Sequence, residues 1–283
     1  LLTREALTLA KSQSYNKGLA LANRNMAAVN IIQGKMTEAL PFAEKALIQI
    51  ESLNEPYHKG KILNLLGVIH RDRKNFKKAL DFQSQALVIF RQLKDTFEIA
   101  GNLNNLGLIY KELGNSDEAL NLYLEVYDLE VRRKNPFGIS RTSNNIASIY
   151  QEMKRFDKAE QMFRISIIEA RAINNKQFEA ASIHGLGLLY QETGKPEKAI
   201  AEYRKAIEIN RQAGFREYLG NNLMQLAASY SSINNYKEAF QRYSEASTVY
   251  SELQNPWNHA LALSGMAWQQ FFMNNLSEAK NLA

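Results

Sequence analysis

Three asparagines stand 40 residues apart, at Asn64, Asn104 and Asn144. A carboxamide donates and accepts hydrogen bonds at once, so a row of them can grip a peptide backbone whatever side chains it carries. Asn is a poor residue for a helix interior, so three in register need a reason. Two readings are open: the row holds a ligand, or it bonds neighbouring helices.

Other chemistry is sparse. The four histidines are His58, His70, His184 and His259, with no pair at i, i+4 and no HExxH. His70 falls where later segments place Tyr110, Tyr150, Tyr190 and Tyr230, which favours packing over ligation. Gly185-Leu-Gly187 lacks the third glycine of a nucleotide fingerprint, and neither GxxxxGK[ST] nor GxSxG occurs. Carboxylates are scattered over solvent faces, with no acid, base and nucleophile placed together. The chain therefore reads as non-enzymatic, with no catalytic residue, metal or cofactor.

Composition narrows the class. The absence of cysteine excludes disulfides and thiolate chemistry and suits a cytoplasmic home. No apolar run reaches the roughly 18 residues of a membrane span, and no leader is legible. The net charge of +6 is uneven: residues 1–141 carry 20 Lys and Arg against 15 Asp and Glu, the remainder 15 against 14. That excess is mild for a nucleic-acid binder. The densest basic stretch, His70 to Lys78, reads as a solvated turn, and its Phe76 opens a helix as Phe156 and Tyr236 do.

The elements that position these residues follow one clock. Ala39, Ala79, Ala119, Ala159, Ala199, Ala239 and Ala279 recur every 40 residues. Gly67, Gly107, Ala147, Gly187, Ala227 and Ala267 form a second small row, and Ala20, Gly60, Ala100, Ser140, Ala180, Gly220 and Ala260 a third. A fixed spacing of this length signals one stacked structural unit. Each unit reads as two amphipathic helices, because apolar positions such as Leu103, Leu106, Ile109 and Tyr110 follow the helical period. Gly114-Asn115-Ser116 marks the turn between them. Pro56, Pro136, Pro196 and Pro256 suit helix starts, where the missing N–H costs nothing. Pro41 is placed near enough to a helix start to share that tolerance. The expected organisation is a single array over 1–283. Residues 1–12 form the second helix of an incomplete leading unit. Units follow near 16–53, 56–94, 97–134, 136–174, 176–213 and 216–254, and 256–283 is an incomplete trailing unit.

The motif Leu186-Gly187-x-x-Tyr190-x-x-x-Gly194, followed by Ala199, Tyr203 and Ala206, resembles the tetratricopeptide repeat. Leu106-Gly107-x-x-Tyr110-x-x-x-Gly114 with Ala119, Tyr123 and Val126 repeats it. The period is similar to the extended class found in kinesin light chains, MalT-like activators, peptide-pheromone receptors and bacterial signalling arrays. Asn30 and Gln270 depart from the tyrosine of the motif. The resemblance implies an all-α, right-handed superhelical solenoid of antiparallel helix pairs whose first helices line a concave groove. On that basis the groove comprises Lys61, Asn64, Val68, Arg71, Asn104, Leu108, Lys111, Arg141, Asn144, Gln151, His184, Leu188, Gln191, Asn221 and Met224.

Lys61, Arg71, Lys111 and Arg141 make the first half of this groove basic, with Val68 and Leu108 between them. The matching partner is a protein or peptide, acidic and partly apolar. The function so implied is a peptide-binding scaffold, the interaction region of a larger signalling protein. The alternative is a ligand-sensing domain that controls a fused effector: a nucleotide cyclase, diguanylate cyclase, kinase or transcription factor. RNA binding is weaker still, since stacking aromatics are missing from the inferred groove of the middle units. Trp257, Trp268, Phe271, Phe272 and Met273 give the last full helix an apolar face, expected to be covered by a fused domain or a second copy. The alanine row carries its own test. Ala159→Leu should overpack the helix pair and cost about 1–3 kcal/mol, read as a lower denaturation midpoint at unchanged helix content.

Overall fold

In the computed structural model, residues 2–12 and 15–282 are described. Leu1 and Ala283, which the sequence reading assigns to the terminal helices, lie outside them, as does the side chain of Ala6. The described residues form fifteen helices in two compact units divided between Arg132 and Arg133. The first unit holds α1 (Leu2–Ser12), α2 (Asn16–Ile32), α3 (Met36–Glu51), α4 (Pro56–Asp72), α5 (Phe76–Gln92), α6 (Thr96–Glu112) and α7 (Ser116–Arg132). The second holds α8 (Pro136–Glu152), α9 (Phe156–Ala172), α10 (Lys176–Glu192), α11 (Pro196–Ala213), α12 (Arg216–Ser232), α13 (Tyr236–Glu252), α14 (Pro256–Phe272) and α15 (Leu276–Leu282). In each unit a helix packs on its sequence neighbours, and alternate helices α2, α4 and α6, or α8 and α10, also touch. Each unit is thus a stack of antiparallel hairpins.

Three-residue turns make the stack regular. After α4, Lys74 N–H donates to the Arg71 carbonyl (2.9 Å) and Asn75 N–H to the His70 carbonyl (2.8 Å). This pair of bonds satisfies the carbonyls that a helix end leaves open. It requires a left-handed residue at position 74, where φ is 59°. Gly114 meets the same demand after α6 at φ 78° without a Cβ penalty. The residue after each left-handed one begins the next helix: the Asn75 carbonyl accepts from Ala79 N–H at 3.0 Å. Asp95 caps α6 with its side chain, accepting from Phe97 and Glu98 N–H at 3.1 Å each. Pro41 does not share the tolerance of a first turn. It is the sixth residue of α3, so the Thr37 carbonyl loses its helical donor, and Thr37 and Pro41 are exposed to solvent.

Small residues of the first helix face rings of the second. A Cβ at Gly107 would lie 2.7 Å from the Tyr123 ring, and one at Gly187 2.6 Å from the Tyr203 ring. Sixteen residues separate the partners in both pairs. Gly60 meets Phe90 and Gly220 meets Tyr250 in the same manner, at 2.7 and 2.8 Å. Ala39, Ala79, Ala119, Ala159, Ala199 and Ala239 are all fully buried, whereas Ala279 is half-exposed. Trp257, Trp268, Phe271 and Phe272 of α14 are exposed, and the last three stack together.

Two glycines inside helices separate packing from propensity. Tyr203 is fully buried and its hydroxyl donates to Gln191 Oε1 at 2.6 Å, so its ring has no room to retreat. Gly187→Ala should therefore destabilise, because overpacking of about 1–3 kcal/mol exceeds the helix gain of about 1 kcal/mol. A Cβ at Gly101 meets nothing within 4 Å. Gly101→Ala should stabilise by about 0.5–1 kcal/mol. Urea denaturation of the two variants checks both signs.

Candidate functional site

Burial follows a pattern set by helix position. A second helix such as α9 turns a fully exposed face to solvent, where Ile168 is 63% exposed. A first helix is flanked by its own second helix and by neighbouring first helices. Over residues 61–71, 101–111, 141–151, 181–191 and 221–231 no residue is fully exposed. What remains open is a half-exposed stripe at Lys61, Asn64, Leu65, Val68 and Arg71, repeated at Arg141, Asn144, Asn145, Ser148 and Gln151, and again at Ala181, His184, Gly185, Leu188 and Gln191.

In the first unit this stripe gathers Lys61, Asn64, Val68, Arg71, Leu108 and Lys111, all half-buried. Asn104 is an exception: it is 7% exposed and belongs to the interior. Asn64 uses its side-chain oxygen within the fold, accepting from Gln83 Nε2 (3.0 Å) and from Asn105 Nδ2 (2.8 Å). Two of the basic groups are also engaged. Lys61 donates to the buried Glu98 at 2.7 Å, and Arg71 lies 3.7 Å from Glu112, which Lys74 also contacts at 3.0 Å. The expected basic half-groove is thereby corrected. Lys61 and Arg71 were counted without Glu98 and Glu112, the carboxylates that lie about one repeat later and pair with them.

The second unit gathers Arg141, Asn144, Gln151, His184, Leu188, Gln191, Asn221 and Met224, all half-buried. Its chemistry is largely uncharged. Arg141 sits over the Phe137 ring at 5.8 Å. Asn144 Oδ1 accepts from Ser182 Oγ at 3.1 Å, and Ser182 continues to Ser166 at 2.6 Å. Gln151 donates to Glu192 at 2.8 Å, and Gln191 to Ser229 Oγ at 2.8 Å. For Asn64 and Asn144 the interhelical reading of the asparagine row therefore holds at the oxygen. Among the described residues no acceptor meets either side-chain nitrogen, so a donor remains on each.

The histidines are absorbed by packing and hydrogen bonds. His70 is buried and stacks on Phe82 at 5.4 Å. His58 pairs with Arg24, and His259 with Ser247 at 3.1 Å. His184 lies 3.0 Å from Asn222 Oδ1, while Asn222 Nδ2 donates to the Tyr218 carbonyl at 2.8 Å. That second bond fixes the amide, so His184 Nδ1–H is the donor and Nε2 is left as an acceptor. Burial pushes the His184 pKa below its ordinary value, and the Asn222 bond opposes it. Sequence reasoning missed Asn222 and Asn210, which stand beside His184. Asn210 was legible, with Glu130, as a polar member of a row otherwise holding Ile50, Phe90, Ala170 and Tyr250. Among the described residues no three His, Cys, Asp or Glu gather to hold a metal, and no helix is long and apolar enough to cross a membrane.

A family model described as tetratricopeptide repeat matches residues 18–92, 60–130, 97–167, 138–212 and 178–252. Among curated proteins none matches the sequence. Solved structures share the fold. One is a signal transduction ATPase with numerous domains and a tetratricopeptide repeat sensor, from Pyrococcus horikoshii. It aligns at TM-score 0.74 and 16% identity over 93% of this chain and 40% of that one. The chain thus spans well under half of that protein. RapI in its apo form aligns at TM-score 0.73 and 13% identity, over 93% of this chain and 94% of that one. A Rap protein complexed with competence and sporulation factor aligns at TM-score 0.64 and 13% identity, over 93% and 76%.

The buried histidine has a pH consequence. A pKa lowered by folding means the unfolded chain binds the proton first, so stability is intact above the ordinary value near 6.5 and falls as pH drops below it. Acidification from about pH 7 to about pH 5.5 should lower the thermal midpoint. His184→Gln, which keeps a donor for Asn222 and cannot titrate, should lose less over the same interval. Calorimetric scans of both proteins at the two pH values make the comparison.

Proposed function

Because the chain belongs to the tetratricopeptide repeat family, we propose that the half-exposed faces of its first helices bind a peptide or protein partner and that it acts by this contact, without catalysis. The observation that carries the reading is the stripe itself. It recurs at the same register in successive first helices and mixes amide nitrogens with apolar side chains such as Val68, Leu108, Leu188 and Met224. An extended peptide needs donors and acceptors for its backbone and shallow apolar seats for alternate side chains. The pairing of Lys61 and Arg71 with carboxylates argues against a strongly acidic partner beside the first unit's stripe, and the second unit's largely uncharged stripe suits an uncharged one.

A second reading is a ligand-sensing region that controls a larger signalling protein. It is favoured by the likeness to an archaeal ATPase whose repeats are its sensor, of which this chain spans 40%. The Rap protein complexed with competence and sporulation factor shows this fold holding a bound factor, which supports the same reading. Both readings place the contact on the first helices.

Display of random linear peptides against the purified chain tests the shared premise. Enriched peptides should lose at least about tenfold in affinity, roughly 1.4 kcal/mol, in Leu108→Arg or Leu188→Arg. They should bind Ile168→Arg, on the exposed face of the second helix α9, as well as the parent. Equal binding by all three variants would place the partner elsewhere.

A further inference from the structure

The register of the second helices singles out one position. Ile50, Phe90, Glu130, Ala170, Asn210 and Tyr250 are equivalent, and all are buried. In two hairpins this residue is an aromatic whose ring fills the space over a first-helix glycine, Phe90 over Gly60 and Tyr250 over Gly220. Between α10 and α11 the same pair is Ala180 and Asn210. The space a ring occupies elsewhere stays open as a cavity of about 170 Å³, which α12 completes. The neighbouring Ser140–Ala170 pair is closed differently, by hydroxyl bonds from Ser140 to Ser166 at 3.2 Å and on to Ser182 at 2.6 Å.

Asn210 is 1% exposed, and neither its side-chain nitrogen nor its oxygen has a partner. An unpaired buried amide costs stability that an aromatic at this position avoids. The rest of the lining is polar and uncharged. Asn222 is committed at both atoms, to His184 and to the Tyr218 carbonyl. Asn221 accepts from the Tyr250 hydroxyl at 2.7 Å and keeps its amide N–H groups. His184 keeps an acceptor nitrogen. Gln177 and Tyr218 are the exposed members of the lining and mark the mouth.

We propose that this cavity is a pocket for a single uncharged carboxamide, the glutamine or asparagine side chain of a bound partner or a peptide-bond amide of its backbone. Size selects a group rather than a molecule. The cavity exceeds the roughly 10–15 Å³ that one water needs and falls below the roughly 300–1,000 Å³ of whole-ligand sites. Charge selects neutrality, since no Lys, Arg, Asp or Glu lines it and an ion would enter without a counter-charge. Hydrogen bonding selects an amide. An apolar group would leave both Asn210 atoms unpaired, whereas a carboxamide returns an acceptor for N–H and a donor for Oδ1. The pocket lies among the stripe residues His184 and Asn221, so this inference rests on the reading that the first-helix face holds a peptide.

Nuclear magnetic resonance titration of the 283-residue chain tests it, with the Asn210 side-chain amide signals assigned by their loss in Asn210→Phe. Propionamide should shift those signals saturably, and propionate should not. N-methylacetamide mimics a peptide bond. Tighter saturation by it than by propionamide assigns the pocket to backbone amides, and the reverse assigns it to side chains. Asn210→Phe should lose the remaining propionamide shifts at His184; no gain in melting temperature is expected, because its ring would meet the Ala180 Cβ where Phe90 and Tyr250 face glycine. If that variant does not fold, Asn210→Leu serves, with a similar volume and no polar atom. No saturable shift at Asn210, shifts at His184 that survive in the variants, or equal response to propionate would overturn the pocket. Peptide affinity separates this result from the underlying reading. Selected peptides that bind Asn210→Leu as tightly as the parent but fail with Leu188→Arg leave the groove standing without the pocket. Peptides indifferent to Leu188→Arg remove the groove, whatever propionamide does.

Discussion

The fold rests on the close approach of two helices within each hairpin. That approach exists because a side chain is missing where a ring must lie. Gly107 and Tyr123, or Gly187 and Tyr203, leave no room for even one methyl group. Glycine inside a helix costs about 0.5–1 kcal/mol relative to alanine, and burying an aromatic ring returns more than that. The trade recurs at Gly60 with Phe90 and at Gly220 with Tyr250. The alanines at Ala79, Ala119 and Ala159, on the second helices, are fully buried as well.

Exposure follows from this geometry. A first helix surrounded on three sides retains one stripe, and that stripe is only half open. Its residues therefore serve neighbours before they serve a ligand. Asn64 holds Gln83 and Asn105, Lys61 holds Glu98, and Gln191 both accepts from Tyr203 and donates to Ser229. A partner laid along the stripe meets the leftover valences, such as the nitrogen of an amide whose oxygen is taken. Such donors are fixed in place before binding, which lowers the entropy lost on association.

What the sequence makes legible follows the same division. Helices, turns and small-residue rows were readable because each repeats its residue type at a fixed interval, as Ala119, Ala159 and Ala199 do. Pairings specific to one interface were not. Glu98 sits 37 residues beyond Lys61, at a register where the other units place unrelated residues, so nothing periodic announces the ion pair. Asn104 shares its register with Asn64 and Asn144 yet is buried more deeply, because exposure within a row depends on the neighbour's side chains rather than on position alone. Pro41 reads as a few residues inside its helix, but first-turn tolerance does not reach it, because α3 begins at Met36 and Pro41 is its sixth residue.

A repeat also makes its own exceptions informative. In a unique globular core an asparagine in the interior has no reference against which to judge it. Here Phe90 and Tyr250 show what the same position holds when packing alone decides. Asn210 gives up that packing and keeps two unsatisfied polar atoms. The Ser140–Ala170 hairpin shows that a small pair at this site can be closed with local hydroxyl bonds. Asn210 has no such closure, and the residues around it, His184 and Asn221, belong to the open stripe rather than to the core. The departure from the packing rule thus falls where the helix face is already accessible, the one place in the hairpin where an unfilled polar cavity can be completed from outside.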